Sequence, residues 1–375
     1  MDGSEISLRC YLPDPRDETL VREVLRSGRL SHGPMAARLE AAVAGVCGCS
    51  DGVAVTSPRA ALALVTRWLS AQRMDEVVLS PFAPPTLAEA LVDAGMHLVL
   101  ADVDPVTLNI DPKGLEAHIT DRTRAILFTH TLGNPLGVAG VAKIAARYEI
   151  PLIEDATEAL GTRHKERPCG AWGRVAVLSL GQQSATPCGG GGVIVTDDAR
   201  LADDLRGLRT GRTPTRATEV TASVDGLSDL HAALGVGQLR RLEDIRDRRT
   251  ELAGAYLQRL MDVSDIIVPT MDGETDPMWP GLVVRLDTRY TADERDRIVR
   301  GMRLHEVEAE IPRPCLHQRA GSLLERQRPA DLPIAESVQH RLIRLPFHLG
   351  LSARDVEMVV QTLELMISRE NLSRG

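Results

Sequence analysis

Seven short apolar runs dominate the first two thirds of the chain: GVAVTS (52–57), EVVLSP (76–81), HLVLAD (97–102), AILFTH (125–130), PLIEDA (151–156), VAVLSL (175–180) and GVIVTD (192–197). Each suits a buried strand, and helical patterns at 60–70, 86–94 and 138–148 lie between them. This alternation, from about residue 19 to 240, predicts an α/β fold with a mostly parallel seven-stranded sheet covered by helices. After a charged helix expected near 228–260, the pattern turns to shorter elements: MWPGLVVRLD, a helix near 292–302, HEVEAEIPRP and a last helix from 353. The expected division is a large α/β domain over 1–250 and a smaller α+β domain over 251–375.

With 375 residues, the chain is long enough for a full core, and its formal charge of -8 gives no general attraction to phosphate backbones or acidic membranes. Nucleic acid is not an expected partner. The opening MDGSEISLRCYLPDP has no charged leader followed by a long apolar core, and no segment offers the roughly 20 apolar residues of a membrane span, so a cytoplasmic protein off the membrane is expected. Six scattered cysteines make no disulfide framework, and Cys47-Gly-Cys49 has no second ligand pair nearby, so no metal is expected. The stretch RTGRTPTRATEVTASVDG (209–226) reads as a long exposed loop of the kind that serves function or a subunit contact.

Several blocks, in order and nearly end to end, carry a resemblance: VREVLRSGRLSHGP (21–34), ADVDPVTLNID (101–111), IEDATEALGTRHKERPCGAWG (153–173), GGGGVIVT (189–196), LSDLHAALGVGQLRRLEDIRDRR (227–249) and LPFHLGLSARDVEMVV (345–360). The chain resembles the DegT/StrS family of sugar aminotransferases, fold type I proteins that use pyridoxal phosphate (PLP) on nucleotide-linked keto sugars. The resemblance implies the PLP-transferase fold, a small-molecule substrate from specialised-metabolite biosynthesis, and a homodimer with active sites at its interface.

Set against that family, the working parts diverge. A PLP enzyme needs a lysine as nucleophile and base. The chain's only lysines are Lys113, Lys143 and Lys165, and Ser184 occupies the family's lysine position in Ser179-Leu180-Gly181-Gln182-Gln183-Ser184. The family's Gly-Thr phosphate turn reads Pro58-Arg59, the ring-stacking aromatic aligns with Pro84, the partner-lent Asn with Val224, and the glutamate of Gly-Glu-Gly-Gly with Gly190. Asp155 matches the carboxylate that pairs with the pyridine nitrogen, Glu158 follows one helical turn later, Ser179 matches a phosphate-contacting serine, and His130 and His348 match family positions.

Strand carboxyl ends face the crevice of an open α/β sheet, so His130, Asp155, Glu158, Ser179 and Ser184 are expected to converge there as candidate reactive groups. Arg59 is expected to bind an anionic substrate or pair with Asp155, and Gln183 and Arg313 are further candidates for substrate contact. Arg313-Pro314-Cys315-Leu316-His317 aligns with the family's substrate-side Tyr-Pro-x-Leu-His, which makes His317 the candidate general acid or base. The expectation is an enzyme that has dropped PLP and performs isomerisation, dehydration or cyclisation by acid–base chemistry on a sugar nucleotide or a related intermediate. Two alternatives stand beside it: a non-catalytic binding or partner protein, and a dehydratase holding pyridoxamine phosphate (PMP) without a covalent bond.

Overall fold

All seven expected runs join one sheet in the computed structural model, which describes residues 5–10, 14–70, 74–211, 226–312, 314–319, 321–328 and 330–374. They are β1 (Asp51–Val55), β2 (Glu76–Leu79), β3 (His97–Leu100), β4 (Thr123–Thr129) and β5 (Leu152–Asp155), then, after a ribbon of β6 (Arg163–His164) and β7 (Arg167–Pro168), β8 (Val175–Ser179) and β9 (Gly192–Thr196). Their order is β1-β9-β8-β5-β4-β2-β3, and of these seven β9 alone runs against the rest. The strands are buried on both faces, as continuous apolar runs require. This is the α/β architecture, with a mostly parallel seven-stranded sheet, that the sequence pattern predicts.

Helices cover the two faces. On one side, α3 (Pro58–Trp68), α4 (Pro85–Asp93) and α7 (Ala199–Arg209) pack Leu62, Leu91 and Leu205 against Val77, Leu127, Ile153 and Val177. On the other, α1 (Pro15–Ser27), α2 (Pro34–Cys47) and α8 (Asp229–Arg240) pack Leu20, Leu39 and Val236 near Ala176, Leu178 and Val193. Beside them, α6 (Val138–Arg147) packs on Ile126 and Phe128, after the short α5 (Pro112–Leu115).

A second apolar core forms around a three-stranded antiparallel sheet of β10 (Ile266–Ile267), β12 (Leu282–Leu286) and β13 (Leu342–Leu345), while β11 (Thr275–Asp276) joins the β6 and β7 ribbon. Its helices are the later part of α9 (Leu242–Leu260), α10 (Ala292–Leu304) and α13 (Ala353–Ser373), whereas the short α11 (Ser322–Glu325) and α12 (Pro333–Gln339), between the last two in the chain, pack Leu323 and Ala335 on the first core. Tyr256, Leu282, Ile298, Ile343 and Leu363 fill the second core, and Ile6 joins from the start of the chain. The helix expected near 228–260 is two helices, α8 and α9, parted at Arg241, and residue 250 falls inside α9. Among the described residues of HEVEAEIPRP, Val307 bridges Ile6, Glu310 bridges Arg344 and no strand forms. Of the loop expected at 209–226, positions 212–225 lie outside the described residues, Val224 with them.

Candidate functional site

Side chains of a strand alternate between its faces, so Leu127, Ile153 and Val177, packed together under α3 and α4, set the direction of residues two positions on. Those residues are Thr129, Asp155 and Ser179, the last of β4, β5 and β8. A cavity of about 340 Å³ opens at this end, and Thr129, Thr157, Glu158, Ser179, Gln183 and Ser184 line it. Phe82, Pro81, Pro84 and Pro58 form an apolar wall, and Pro312, Pro314, Leu342 and Arg344 also line the cavity, Arg344 from a strand of the second core.

Asp155 is buried just beneath this lining. Its Oδ1 accepts the Thr157 N–H at 3.2 Å and the Thr157 hydroxyl at 2.7 Å, and its Oδ2 accepts no hydrogen bond. Burial raises its pKa above the ordinary carboxylate range, and the two bonds from Thr157 together with the neighbouring Thr129 hydroxyl only partly offset that. Ser179 Oγ accepts the Gly181 N–H at 3.2 Å, which leaves its own proton free to be donated. Ser184 sits at the end of the same turn, where its Oγ accepts the Thr186 N–H at 3.2 Å. Glu158 accepts the Leu132 N–H at 3.2 Å and lies 3.5 Å from the Arg344 guanidinium. Leu132 has φ 57°, a left-handed conformation that costs a leucine about 1 kcal/mol, so Glu158 helps hold a strained turn in the cavity wall.

Of the expected site residues, Arg59 and His317 are placed elsewhere, His130 belongs to the lining without presenting its ring there, and Arg313 lies outside the described residues. The ring of His130 turns to the opposite face of the sheet, because it stands one residue beyond Thr129. There its Nε2 donates to Glu154 at 2.8 Å, its Nδ1 lies 3.7 Å from Cys169 Sγ, and both side chains of the ion pair are fully buried. Glu154 also receives the N–H groups of Gly170, Trp172 and Gly173, so its charge is well held. Burial opposes protonation of His130, but Cys169 and Glu154 outweigh it and raise the imidazole to about 10. Arg59 does not reach the cavity or Asp155: it spans from α3 to α4, pairing with Glu89 at 3.4 Å and Asp93 at 2.5 Å. His317 points from the 3-10 turn Leu316–Gln318 to Glu336 of α12 at 3.0 Å, outside the cavity lining. Arg313 lies outside the described residues.

Arg344 and Thr157 are cavity groups that the sequence reading passed over. A signal for Arg344 was present, since an arginine interrupts the otherwise apolar run Leu342-Ile343-Arg344-Leu345. Thr157 gave none, because its role follows from the turn after β5.

The three lysines, in α5, in α6 and in the turn between β6 and β7, do not line the cavity, and Lys165 pairs with Glu274 at 3.3 Å. A B6 phosphate therefore has no amine here with which to form a Schiff base. The rest of the donor set fits its ring and phosphate: Asp155 Oδ2 is a buried oxygen with bonding capacity to spare, and the Ser179 hydroxyl has a free proton. The start of α3 contributes less, since Pro58 has no N–H and the Ser57 hydroxyl already takes that of Ala60.

Comparison with known proteins gives the same scaffold throughout. The chain is 30% identical over 364 residues to the spore coat polysaccharide biosynthesis protein SpsC of Bacillus subtilis, covering 92% of each chain. It is 29% identical to DesV of S. venezuelae, solved in complex with a ketimine intermediate, with a TM-score of 0.84 over 93% of each chain. Spr1654 of Streptococcus pneumoniae, solved in PMP and PLP forms, shares the fold with a TM-score of 0.92 at 19% identity for the PMP form, over 99% of this chain and all of that one. These relatives overturn the expectation that no cofactor belongs in the cavity: the kinship is with aminotransferases, and B6-bound structures stand among the neighbours. The family model for DegT/DnrJ/EryC1/StrS aminotransferases matches residues 14–364, and the chain belongs to that family.

Proposed function

We propose that this protein binds a B6 phosphate, PMP in particular, without a covalent link and acts on a nucleotide-linked keto sugar. The observation that carries the reading is the unpartnered Asp155 Oδ2 at the carboxyl end of β5, buried and on the cavity's face of the sheet. Such an oxygen is costly to keep empty and is satisfied by a pyridine N–H. When bound, the pyridine ring supplies an electron sink for carbanion chemistry next to the sugar's carbonyl carbon.

This chain's own groups do the rest. Asp155 holds the ring by its nitrogen, Ser179 donates its free proton to a phosphate oxygen, and the Phe82 and Pro84 wall excludes water from one side. Ser184 leaves the amine function to the cofactor itself, which is why PMP suits the site better than PLP. Glu158, the one carboxylate among the described lining residues, takes or returns a proton at the sugar, and Arg344 fixes its orientation. We also propose a cytoplasmic homodimer. All six cysteines are free thiols, and among the described residues no helix is long and apolar enough to cross a membrane.

The test is an absorbance and calorimetric titration of the purified protein with PMP and with PLP. Saturable micromolar binding of PMP, with PLP that borohydride does not fix to the chain, is expected. Absence of saturable binding by either vitamer defeats the reading and favours a partner protein built on the scaffold.

A further inference from the structure

A second cavity, of about 250 Å³, abuts the first, and the two share Gln182, Gln183, Ser184 and Arg344 in their walls. Arg9, Arg241, Arg249, His348 and the Cys10 thiol are its further ionisable groups, with no aspartate or glutamate among the described lining residues. Outside the cavity, most of this positive charge is answered. Arg9 pairs with Glu310 at 2.8 Å, Arg241 with Asp17 at 2.8 Å and Asp14 at 3.4 Å, and Arg344 approaches Glu158 at 3.5 Å.

Arg249 differs from these. It is 6% exposed, its Nη1 donates to the Trp279 carbonyl at 2.6 Å, its Nε has no partner, and among the described residues no carboxylate pairs with it. Its guanidinium lies 5.6 Å from the Phe347 ring centroid, a contact that does not cancel a full charge. Burial lowers its pKa to about 10, so it remains a cation at neutral pH. His348, next to Phe347, has no partner in full hydrogen-bonding geometry at either ring nitrogen, and burial lowers its pKa more than the nearby Ser7 backbone raises it. A buried cation without a counter-ion is costly. An oxyanion would answer that cost, with Arg249 giving charge-assisted bonds and His348 an N–H.

We infer that the Arg249 and His348 cavity is an oxyanion subsite, taking a carboxylate or phosphate that the substrate carries in addition to its nucleotide link. As a statement about the substrate this rests on the sugar reading above; as a statement about anion binding it stands independently. The sharing of Ser184 and Gln183 places the anion beside the reacting group, so the substrate class becomes an acidic sugar.

The experiment is calorimetric titration with inorganic phosphate, with D-glucuronate, and with D-glucose as the uncharged control. It is run at constant ionic strength, with and without PMP in excess, on the natural protein and on Arg249→Gln and His348→Leu. Saturable binding of phosphate or glucuronate with no response to glucose is expected, weakened at least tenfold in Arg249→Gln and several-fold in His348→Leu. Binding of phosphate alone identifies a phosphorylated sugar, and binding of glucuronate alone a sugar acid. Should Arg249→Gln not fold, Arg249→Lys and His348→Leu decide. No saturable binding of either anion, or binding unchanged in the folded variants, overturns the subsite. The PMP isotherm is read separately, so failure of the cofactor reading leaves the anion result intact.

Discussion

At the residue scale, the clearest lesson lies in two neighbours across β4 and β5. The backbone N–H of His130 donates to the Asp155 carbonyl at 3.0 Å, yet their side chains face opposite sides of the sheet. One is a structural cation and the other a ligand-facing acid, and both lose stability as pH rises, each in its own window. Because the folded state raises the pKa of His130 to about 10, the stability from its ion pair is complete below the ordinary imidazole value and is lost as pH rises towards 10. Urea unfolding from pH 6 to 10 should therefore show falling stability in the natural protein. His130→Gln should flatten that slope and cost about 3–5 kcal/mol near neutrality, as breaking one side of a buried pair does. A flat profile in the natural protein would rule out the buried imidazolium. Asp155 acts in the same direction at lower pH: its folded pKa is raised by burial, so ionisation as pH rises from the carboxylate range costs stability in the cofactor-free protein. Asp155→Asn should gain roughly 1 kcal/mol in thermal unfolding without cofactor, while PMP binding weakens at least tenfold. A variant that loses stability and binds PMP normally would show Asp155 to be only a turn-former. The directions of Thr129, Asp155 and Ser179 were legible from the two-residue period of their strands. So was the opposite direction of His130, once counted by parity instead of by its place at a strand end. The partners of Arg59 and His317 were not legible, because they depend on the spacing between helices that are not adjacent in the strand pattern.

At the element scale, several helices are held by residues distant in sequence. The N-terminus of α2 has no side-chain cap of its own; Asp229, at the start of α8, accepts the N–H groups of Gly33, Met35 and Ala36 instead. Asp229→Ala leaves those donors unsatisfied and should destabilise the fold by about 2–3 kcal/mol in chemical denaturation. An unchanged denaturation midpoint would mean that water replaces the carboxylate without cost. The break between α8 and α9 was not legible, since GQLRRLEDIRDRR contains no glycine or proline at that point. What sets it is tertiary: Arg241 leaves the helical line and pairs with Asp14 and Asp17 at the start of α1. The α3 start, by contrast, was readable, because Ser57-Pro58 is a cap followed by a first-turn proline. Pro58→Gly restores an N–H at the cavity's edge and should tighten PMP binding several-fold while lowering stability by about 1 kcal/mol. Equal affinity in both proteins would place the phosphate away from α3.

At the scale of the molecule, seven strands were readable because a sheet buried on both faces writes its burial directly into consecutive apolar residues. The cavity was less readable because two cores build it. Sheet ends supply Thr129 and Ser179, while Pro312 and Arg344 come from segments packed with the second core. A ligand in that junction ties both cores together, so PMP at a hundred times its dissociation constant should stabilise the whole chain by about 2.7 kcal/mol in a single transition. The dimer belongs to this scale too. Val224, in a stretch outside the described residues, aligns with the Asn that the family lends across its interface, so the association we propose must rest on buried surface more than on a shared cofactor contact. Sedimentation velocity of the cofactor-free protein should accordingly give about twice the 40.7 kDa chain mass, with the same value after PMP is added. A monomer that pairs only with PMP present would mean that the cofactor, and not apolar surface, holds the subunits together. In that case Val224→Asn should strengthen the dimer, whereas in a dimer held by its surface the same change should alter PMP affinity and leave the association constant where it was.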